Sequence, residues 1–144
     1  MPTVTKSMRV INRCQTLFHT EKLKSVIRYS YPPLIYAICR QPGRSQEELA
    51  KELYLEKSSV ARVLNRMEEE DFVTRISNAE DKRQLLIYPT QKMLDFLEPL
   101  REAAREWNAL ITEGISPEEM AIFQSVLERI ERRAKAIVDK KGDL

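Results

Sequence analysis

The sequence predicts a mainly α fold with a small β-hairpin wing: a winged helix-turn-helix part flanked by N- and C-terminal dimerisation helices. Three observations carry this expectation. In residues 55–72, LEKSSVARVLNRMEEEDF, the apolar positions Val60, Val63, Leu64 and Met67 recur at helical spacing. A short capped segment, SQEELAKEL, stands just before it, so two brief helices meet at a tight connection. After Asp71 the period changes, and two β-branched, aromatic and aliphatic runs at 72–76 and 85–88 bracket the polar stretch SNAEDKRQ.

At 144 residues the chain is long enough for one domain, 1–144, with a real core. A 42% hydrophobic and 32% charged composition is globular, and three glycines among many Leu, Glu, Arg and Ala favour helix. No apolar run approaches the roughly 20 residues of a membrane span. The start, MPTVTKSMRV, lacks the apolar core of a signal peptide, so the expected location is the cytoplasm. An enzyme is disfavoured, and no cofactor is expected. There is one His, no Gly-rich phosphate loop, and no spacing of Cys14, Cys39 and His19 that suits zinc. The two cysteines read as free thiols, with a redox switch at either as a lesser reading. Residues 1–44 carry eight Lys/Arg against Glu21 alone, a local charge of +7, while the remainder carries −5. Such segregation suits a polyanion near the N-terminal third, and suits a solvated helix face equally well.

The elements follow in order. Residues 1–6 read as a loose end, and 7–27 as a helix using Val10, Ile11, Leu17, Phe18 and Leu23. RYSYPPL interrupts it, because Pro32 and Pro33 end one element and open the next. A second helix runs to about Arg40, and Gln41-Pro42-Gly43 is a turn. Ser45 and Glu48 form an S-x-x-E capping box for the third helix, whose buried side is Leu49, Ala50 and Leu53. The connection at 54–57 contains no Gly. A hairpin directly after a helix-turn-helix is a wing. Thr90 caps a long helix with the stripe Leu94, Leu97, Leu100, Ala104, Trp107 and Ile111, and Pro99 should kink it or divide it. Gly114 ends that helix. Ser116-Pro117-Glu118-Glu119 starts the last one, with Phe123, Val126, Leu127, Ile130, Ala134 and Ile137 at spacings of three and four. So much apolar surface on small helices suggests burial against a second copy. The expected division is 30–90 for the winged helix-turn-helix part and 7–28 with 91–140 for dimerisation.

The stretch LEKSSVARVLNRMEEEDFVTRISNAEDKRQLLIYPT resembles the signature region of the MarR family of bacterial transcription regulators. The similarity lies in Ser58-Ser59, Arg62, Leu64-Asn65-Arg66, the acidic helix end Glu68, Glu69 and Glu70, Phe72-Val73, Asp81-Lys82-Arg83 and the strand Leu85-Leu86-Ile87-Tyr88-Pro89-Thr90. SQEELAKEL matches the preceding helix. The specific motifs span 45–90, and the order of elements agrees over most of the chain. Asp71 stands where the family usually has Gly, and Asp tolerates a left-handed backbone better than most residues. Pro89 should shorten the wing strand. The resemblance implies a repressor that binds an inverted-repeat operator as a homodimer and is released by a small molecule, often aromatic or anionic. The alternatives are a winged-helix protein-interaction module and an architectural DNA binder without sequence preference.

The polar residues of the opening stretch suit double-stranded DNA. Ser58 and Ser59 sit at a helix N-terminus, where backbone N–H groups and the helix dipole favour phosphate, and Lys57 adds charge there. Arg62 and Arg66 suit guanine or phosphate, and Asn65 suits adenine, in a major groove that admits one helix. Arg83 is expected in a minor groove. Arg75 and Lys82 are expected on phosphate, and Arg40, Arg44 and Gln46 around the start of the third helix. The acidic run 68–71 should point away from DNA. The resemblance further implies that Asp81 orients Arg83 or braces the wing. It also implies an effector pocket, for which His19, Arg28, Tyr29, Tyr31, Tyr36 and Trp107 are the candidates.

Overall fold

The computed structural model describes residues 3–24 and 31–142. Helix α1 (Val4–Leu23) begins earlier than its apolar pattern suggested, because the Thr3 hydroxyl caps it, accepting from the Lys6 N–H at 3.3 Å. It ends at Leu23 rather than at 27, and the last part of the expected helix lies outside the described residues. Helix α2 (Pro32–Arg40) opens on two prolines, whose missing N–H groups and fixed φ suit a first turn. Its Leu34, Ile35, Ala37 and Ile38 are buried.

A two-residue strand, β1 (Arg44–Ser45), comes next and was not anticipated. Two residues are too few to show a period, so only pairing with a distant partner reveals the strand. Its Ser45 then serves as N-cap of helix α3 (Gln46–Glu52), with both bonds of the capping box present: Glu48 N–H to Ser45 Oγ at 3.2 Å, and Ser45 N–H to Glu48 Oε2 at 3.3 Å. Helix α4 (Lys57–Glu69) follows after a turn that uses no glycine. Tyr54 takes φ 55° there, and Leu55 N–H bonds Ala50 O at 2.9 Å while Tyr54 N–H bonds Lys51 O at 3.3 Å. That pair of bonds is a Schellman ending, with Tyr54 in the left-handed position.

Helix α4 ends the same way. Phe72 N–H bonds Met67 O at 2.7 Å, Asp71 N–H bonds Glu68 O at 3.1 Å, and Asp71 takes φ 61°. The chain turns directly into strand β2 (Val73–Ser77), which pairs antiparallel with β3 (Leu85–Pro89). The sheet order is β1-β3-β2, so the expected hairpin is the larger part of a three-stranded sheet. Pro89 does not cut β3 short; it is the last paired residue, opposite Val73.

Helix α5 (Gln91–Ile111) runs through Pro99 without a break. Its buried face is Met93, Phe96, Leu100 and Ala103, so the expected stripe is rotated: Leu94 and Ile111 are exposed, and only Leu100 belongs to both sets. Gly114 takes φ 80° in the turn that follows. Helix α6 (Pro117–Gly142) then starts on the expected capping box, with Glu119 N–H to Ser116 Oγ at 3.2 Å and Ser116 N–H to Glu119 Oε2 at 3.0 Å.

By internal contacts the chain forms two units, 1–107 and 108–144. The core lies in the first. Leu34, Ile35, Ile38, Leu49, Val60, Leu64, Met67, Phe72, Val73, Ile87, Met93, Phe96 and Leu100 form one buried cluster. Thr90 holds the helix-turn-helix to α5. Its N–H bonds Phe72 O at 3.0 Å, its hydroxyl lies 2.5 Å from Asp71 O, and it accepts from Met93 N–H at 3.4 Å. Lys92 Nζ donates to Glu70 O at 2.7 Å and stands 4.5 Å from the centre of the Phe72 ring. In the second unit no residue of α6 is buried, and Ile122, Phe123, Val126 and Ile137 are exposed.

Two substitutions test the backbone argument by urea unfolding. Asp71→Gly should stabilise the chain by about 0.5–1 kcal/mol, because a left-handed position is relieved of its Cβ. Gly43→Ala should destabilise it by more than about 1 kcal/mol. Gly43 takes φ 87°, and an added Cβ would lie 3.0 Å from Tyr88 Oη.

Candidate nucleic-acid interface

The recognition-helix candidate is α4. Its Val60, Leu64 and Met67, at i, i+4 and i+7, are buried in the core. Burial of that stripe turns Ser58, Arg62, Asn65 and Arg66 outward, and all four are exposed, while Ser59 is half-buried. Lys57 is exposed at the first turn. Glu56, at the N-cap, makes no side-chain capping bond.

The wing presents a second basic tip. Asp81 organises it: Oδ1 accepts from the Arg83 N–H at 3.0 Å and stands 3.6 Å from Arg83 Nε. Asn78 repeats the device, accepting from Glu80 N–H at 3.1 Å, and its own N–H bonds Gln84 O at 2.9 Å across the loop. An acceptor two residues back replaces the sheet ladder where the loop leaves it. The Arg83 side chain is 94% exposed. Lys82 beside it is exposed too.

Other expected contacts lie in internal networks. The Arg44 side chain is only 12% exposed. Its Nη2 donates to Ala37 O at 2.6 Å, near the end of α2, and its Nη1 pairs with Glu52, which also pairs with Arg40. Arg44 therefore joins the end of α2 to α3. Arg75 pairs with Glu68 and donates to Gln46 Oε1 at 3.3 Å. The basic excess of 1–44 is partly matched inside the fold as well, since Lys22 meets Glu106 at 2.8 Å. No signal local to these residues distinguishes a cation facing DNA from one facing a carboxylate distant in sequence.

A separate cavity of about 280 Å³ opens in the first unit. Of the expected effector residues, His19, Tyr31 and Tyr36 line it, with Asn12, Gln15, Thr16, Pro32, Pro33 and Ala104, which were not expected. Trp107 is not on the wall; its ring meets that of Phe18 at a tilt of 44°, with centroids 5.4 Å apart. Arg28 and Tyr29 lie outside the described residues. His19 is 3% exposed, and its Nε2 has no hydrogen-bond partner among the described residues. Burial pushes the imidazole pKa down, against a hydrogen bond to the Ala103 backbone that works the other way. Burial raises the Tyr36 hydroxyl, opposed by Arg101 and Arg105. Cys14 is exposed and Cys39 half-buried, both free thiols. Burial pushes the Cys39 thiol up, against nearby Arg101, which is the opposite of an activated thiolate. Among the described residues no cluster of His, Cys, Asp or Glu could hold a metal, and no helix is long and apolar enough to cross a membrane.

The sequence profile of the MarR family matches residues 29–84, which covers the helix-turn-helix and most of the wing. The fold extends the likeness. The crystal structure of MarR superposes with a TM-score of 0.83 at 22% identity, covering 94% of this chain and 99% of that one. A MarR family transcriptional regulator from Listeria monocytogenes, complexed with 26mer DNA, gives 0.77 at 19% identity over 92% of this chain and 89% of its own. The PcaV transcriptional regulator from Streptomyces coelicolor, in complex with its natural ligand, gives 0.74 at 18% identity over 93% and 99%. The profile falls on the recognition-helix candidate and the wing residues described above, and the fold agrees along nearly the whole chain: this chain resembles the MarR family in its helix-turn-helix and wing and shares the fold of MarR.

Proposed function

We propose that the protein represses transcription in the cytoplasm by binding an inverted-repeat operator in double-stranded DNA as a homodimer, and that a small aromatic ligand releases it. The observation that carries this reading is the two-sided α4. Its apolar stripe is buried, while Ser58, Arg62, Asn65 and Arg66 face outward within a chain that also exposes Arg83. Arginine and asparagine match the acceptor and donor patterns of guanine and adenine edges with paired hydrogen bonds. The DNA carried by the Listeria relative supports the same use here.

Dimerisation through 7–28 and 91–140 is supported by apolar side chains that the single chain leaves in water. Val10, Ile11 and Leu17 on α1 are 55%, 47% and 53% exposed, and Ile122 and Phe123 on α6 are 68% and 55% exposed. On each of these helices, such exposed apolar side chains are what an interface uses. A two-fold dimer would place its recognition helices about 34–36 Å apart, one turn of DNA.

The cavity supports an effector. The described residues on its wall include no Lys, Arg, Asp or Glu, and the buried His19 Nε2 has no donor among the described residues. That chemistry favours an aromatic hydroxyl over the anion that the family resemblance also allowed. The ligand carried by the Streptomyces regulator is consistent with such a site.

Selection from random double-stranded DNA at moderate salt should enrich an inverted repeat. Retained binding with no enrichment would favour an architectural role, and no binding would favour a protein partner. On the enriched site, Arg83→Ala should weaken binding and lower the salt slope by about one unit. An unchanged slope would remove Arg83 from the interface. For the effector, phenol should quench Trp107 fluorescence more strongly than benzoate at pH 7.5. The effect should fade as the pH falls through the depressed pKa of His19, because protonation removes the acceptor. The fold should lose stability on the same side, from about pH 6.5 downward, since the unfolded imidazole takes up a proton before the folded one. His19→Gln should flatten both profiles.

A further inference from the structure

Arg75 occupies the middle of β2, opposite Ile87 of β3. The family reading alone makes it one more cation for phosphate. The structure gives its guanidinium other partners. Nε and Nη2 donate to the two carboxylate oxygens of Glu68 at 3.2 and 3.0 Å, and Nη1 donates to Gln46 Oε1 at 3.3 Å. The Arg75 side chain is 16% exposed. Its bonds hold the Glu68 carboxyl below the usual carboxylate range, so the pair stays charged through the neutral range.

Each of these partners belongs to a different part of the reading head. Glu68 lies in the last turn of α4, Gln46 is the first residue of α3, and Arg75 belongs to the wing. We infer that Arg75 is a positioning residue: through Glu68 and Gln46 it sets the wing against the recognition helix, so that Arg83 and the outer face of α4 reach one DNA together. The inference rests on the DNA-binding reading above.

Geometry explains why a clamp matters at this point. The wing leaves the core at Val73 and Pro89, its last paired residues. Arg75 is two residues from that base, roughly 7 Å along the strand, and Ser77 roughly 13 Å. The Arg83 tip lies beyond the paired strands. A shift of about 1 Å at Arg75 therefore becomes about 2 Å or more at the tip, by the same strand rise. That displacement is enough to break a hydrogen bond to DNA. The clamp need contribute little to folding, because ion pairs with a partner in solvent are worth little. Direct phosphate binding by Arg75 would require the phosphate to displace Glu68.

Glu68→Gln gives a test of opposite signs. Glu68 is an acid near DNA, so if repulsion were its only effect, its neutralisation would tighten binding. If it anchors the clamp, neutralisation weakens binding. Wild type, Glu68→Gln, Arg75→Ala, Arg83→Ala and the Glu68→Gln/Arg83→Ala double variant would be compared on the duplex that wild type enriches from a random pool. Readouts are affinity against salt, hydroxyl-radical footprints and thermal melting. Glu68→Gln and Arg75→Ala should each weaken binding roughly 2- to 30-fold. Both should lose protection of the flanking minor groove, keep protection at the centre of each half-site, and melt within a few degrees of wild type. Arg83→Ala should add little in the Glu68→Gln background, because an unclamped wing has already lost that contact. Tighter binding by Glu68→Gln, or an intact flanking footprint in it, overturns the clamp. A lower salt slope in Arg75→Ala that Glu68→Gln does not share overturns it in favour of a direct phosphate contact. If Arg83→Ala equals wild type throughout, the wing reading itself fails, and the clamp's role with it.

Discussion

The hydrogen bond from Phe72 N–H to Met67 O, at 2.7 Å, closes helix α4, and the rest of the helix-turn-helix and wing depends on it. At that point α4 must stop, reverse and become a strand within three residues. Asp71 adopts a left-handed backbone so that the turn can close, while Met67 and Phe72 on either side of it are both buried. A helix end left without such bonds would leave orphaned carbonyls beside the core. Here the neighbouring carbonyls are also used: Glu70 O accepts from Lys92, and Asp71 and Phe72 O meet Thr90. One junction thus sets the end of α4, the root of the wing and the start of α5.

Burial then decides which face of α4 meets solvent. Val60 and Leu64 are 0% exposed, and Met67 2%. Removing such side chains to Ala costs about 2–5 kcal/mol each, so the stripe cannot rotate outward. The polar residues have no option but the opposite side. Specific readout of DNA needs that rigidity, since base-edge hydrogen bonds tolerate little misplacement. The same logic extends to the arginines. Arg44 and Arg75 brace the scaffold with their fixed donor forks, while Arg62 and Arg83 are presented to solvent. Lysine would serve the bracing positions poorly, because it lacks a planar pair of donors.

The apolar surface outside the core has a different logic. The exposed residues on α1 and α6 are spaced as a helix would space a buried face, and a 144-residue chain has little reason to leave Phe123 in water. A second copy is the partner that every molecule of the protein already has available. Dimerisation would also join two recognition helices into one reader, which is the usual way for a small helix-turn-helix to achieve specificity.

Much of the fold could be read directly from the residues, because the signals are local. The Ser45–Glu48 and Ser116–Glu119 capping boxes, the helical spacing at 60, 63, 64 and 67, and the polar tip between two strand-like runs are each complete within a few neighbours. They determined the order of elements and the exposed Ser58, Arg62, Asn65, Arg66 and Arg83. The rest was decided by contacts between distant residues. Strand β1 exists only because Arg44 and Ser45 pair with Ile87 and Leu86. The buried face of α5 is rotated from its apparent stripe because the core lies on the side of Met93 and Ala103, a direction no periodicity contains. Whether an arginine reads DNA or braces the scaffold depends on a carboxylate brought to it by folding. Sequence determined which residues could carry the chemistry, and tertiary structure decided which remained available for it, because local spacing specifies a face but only packing specifies what that face meets.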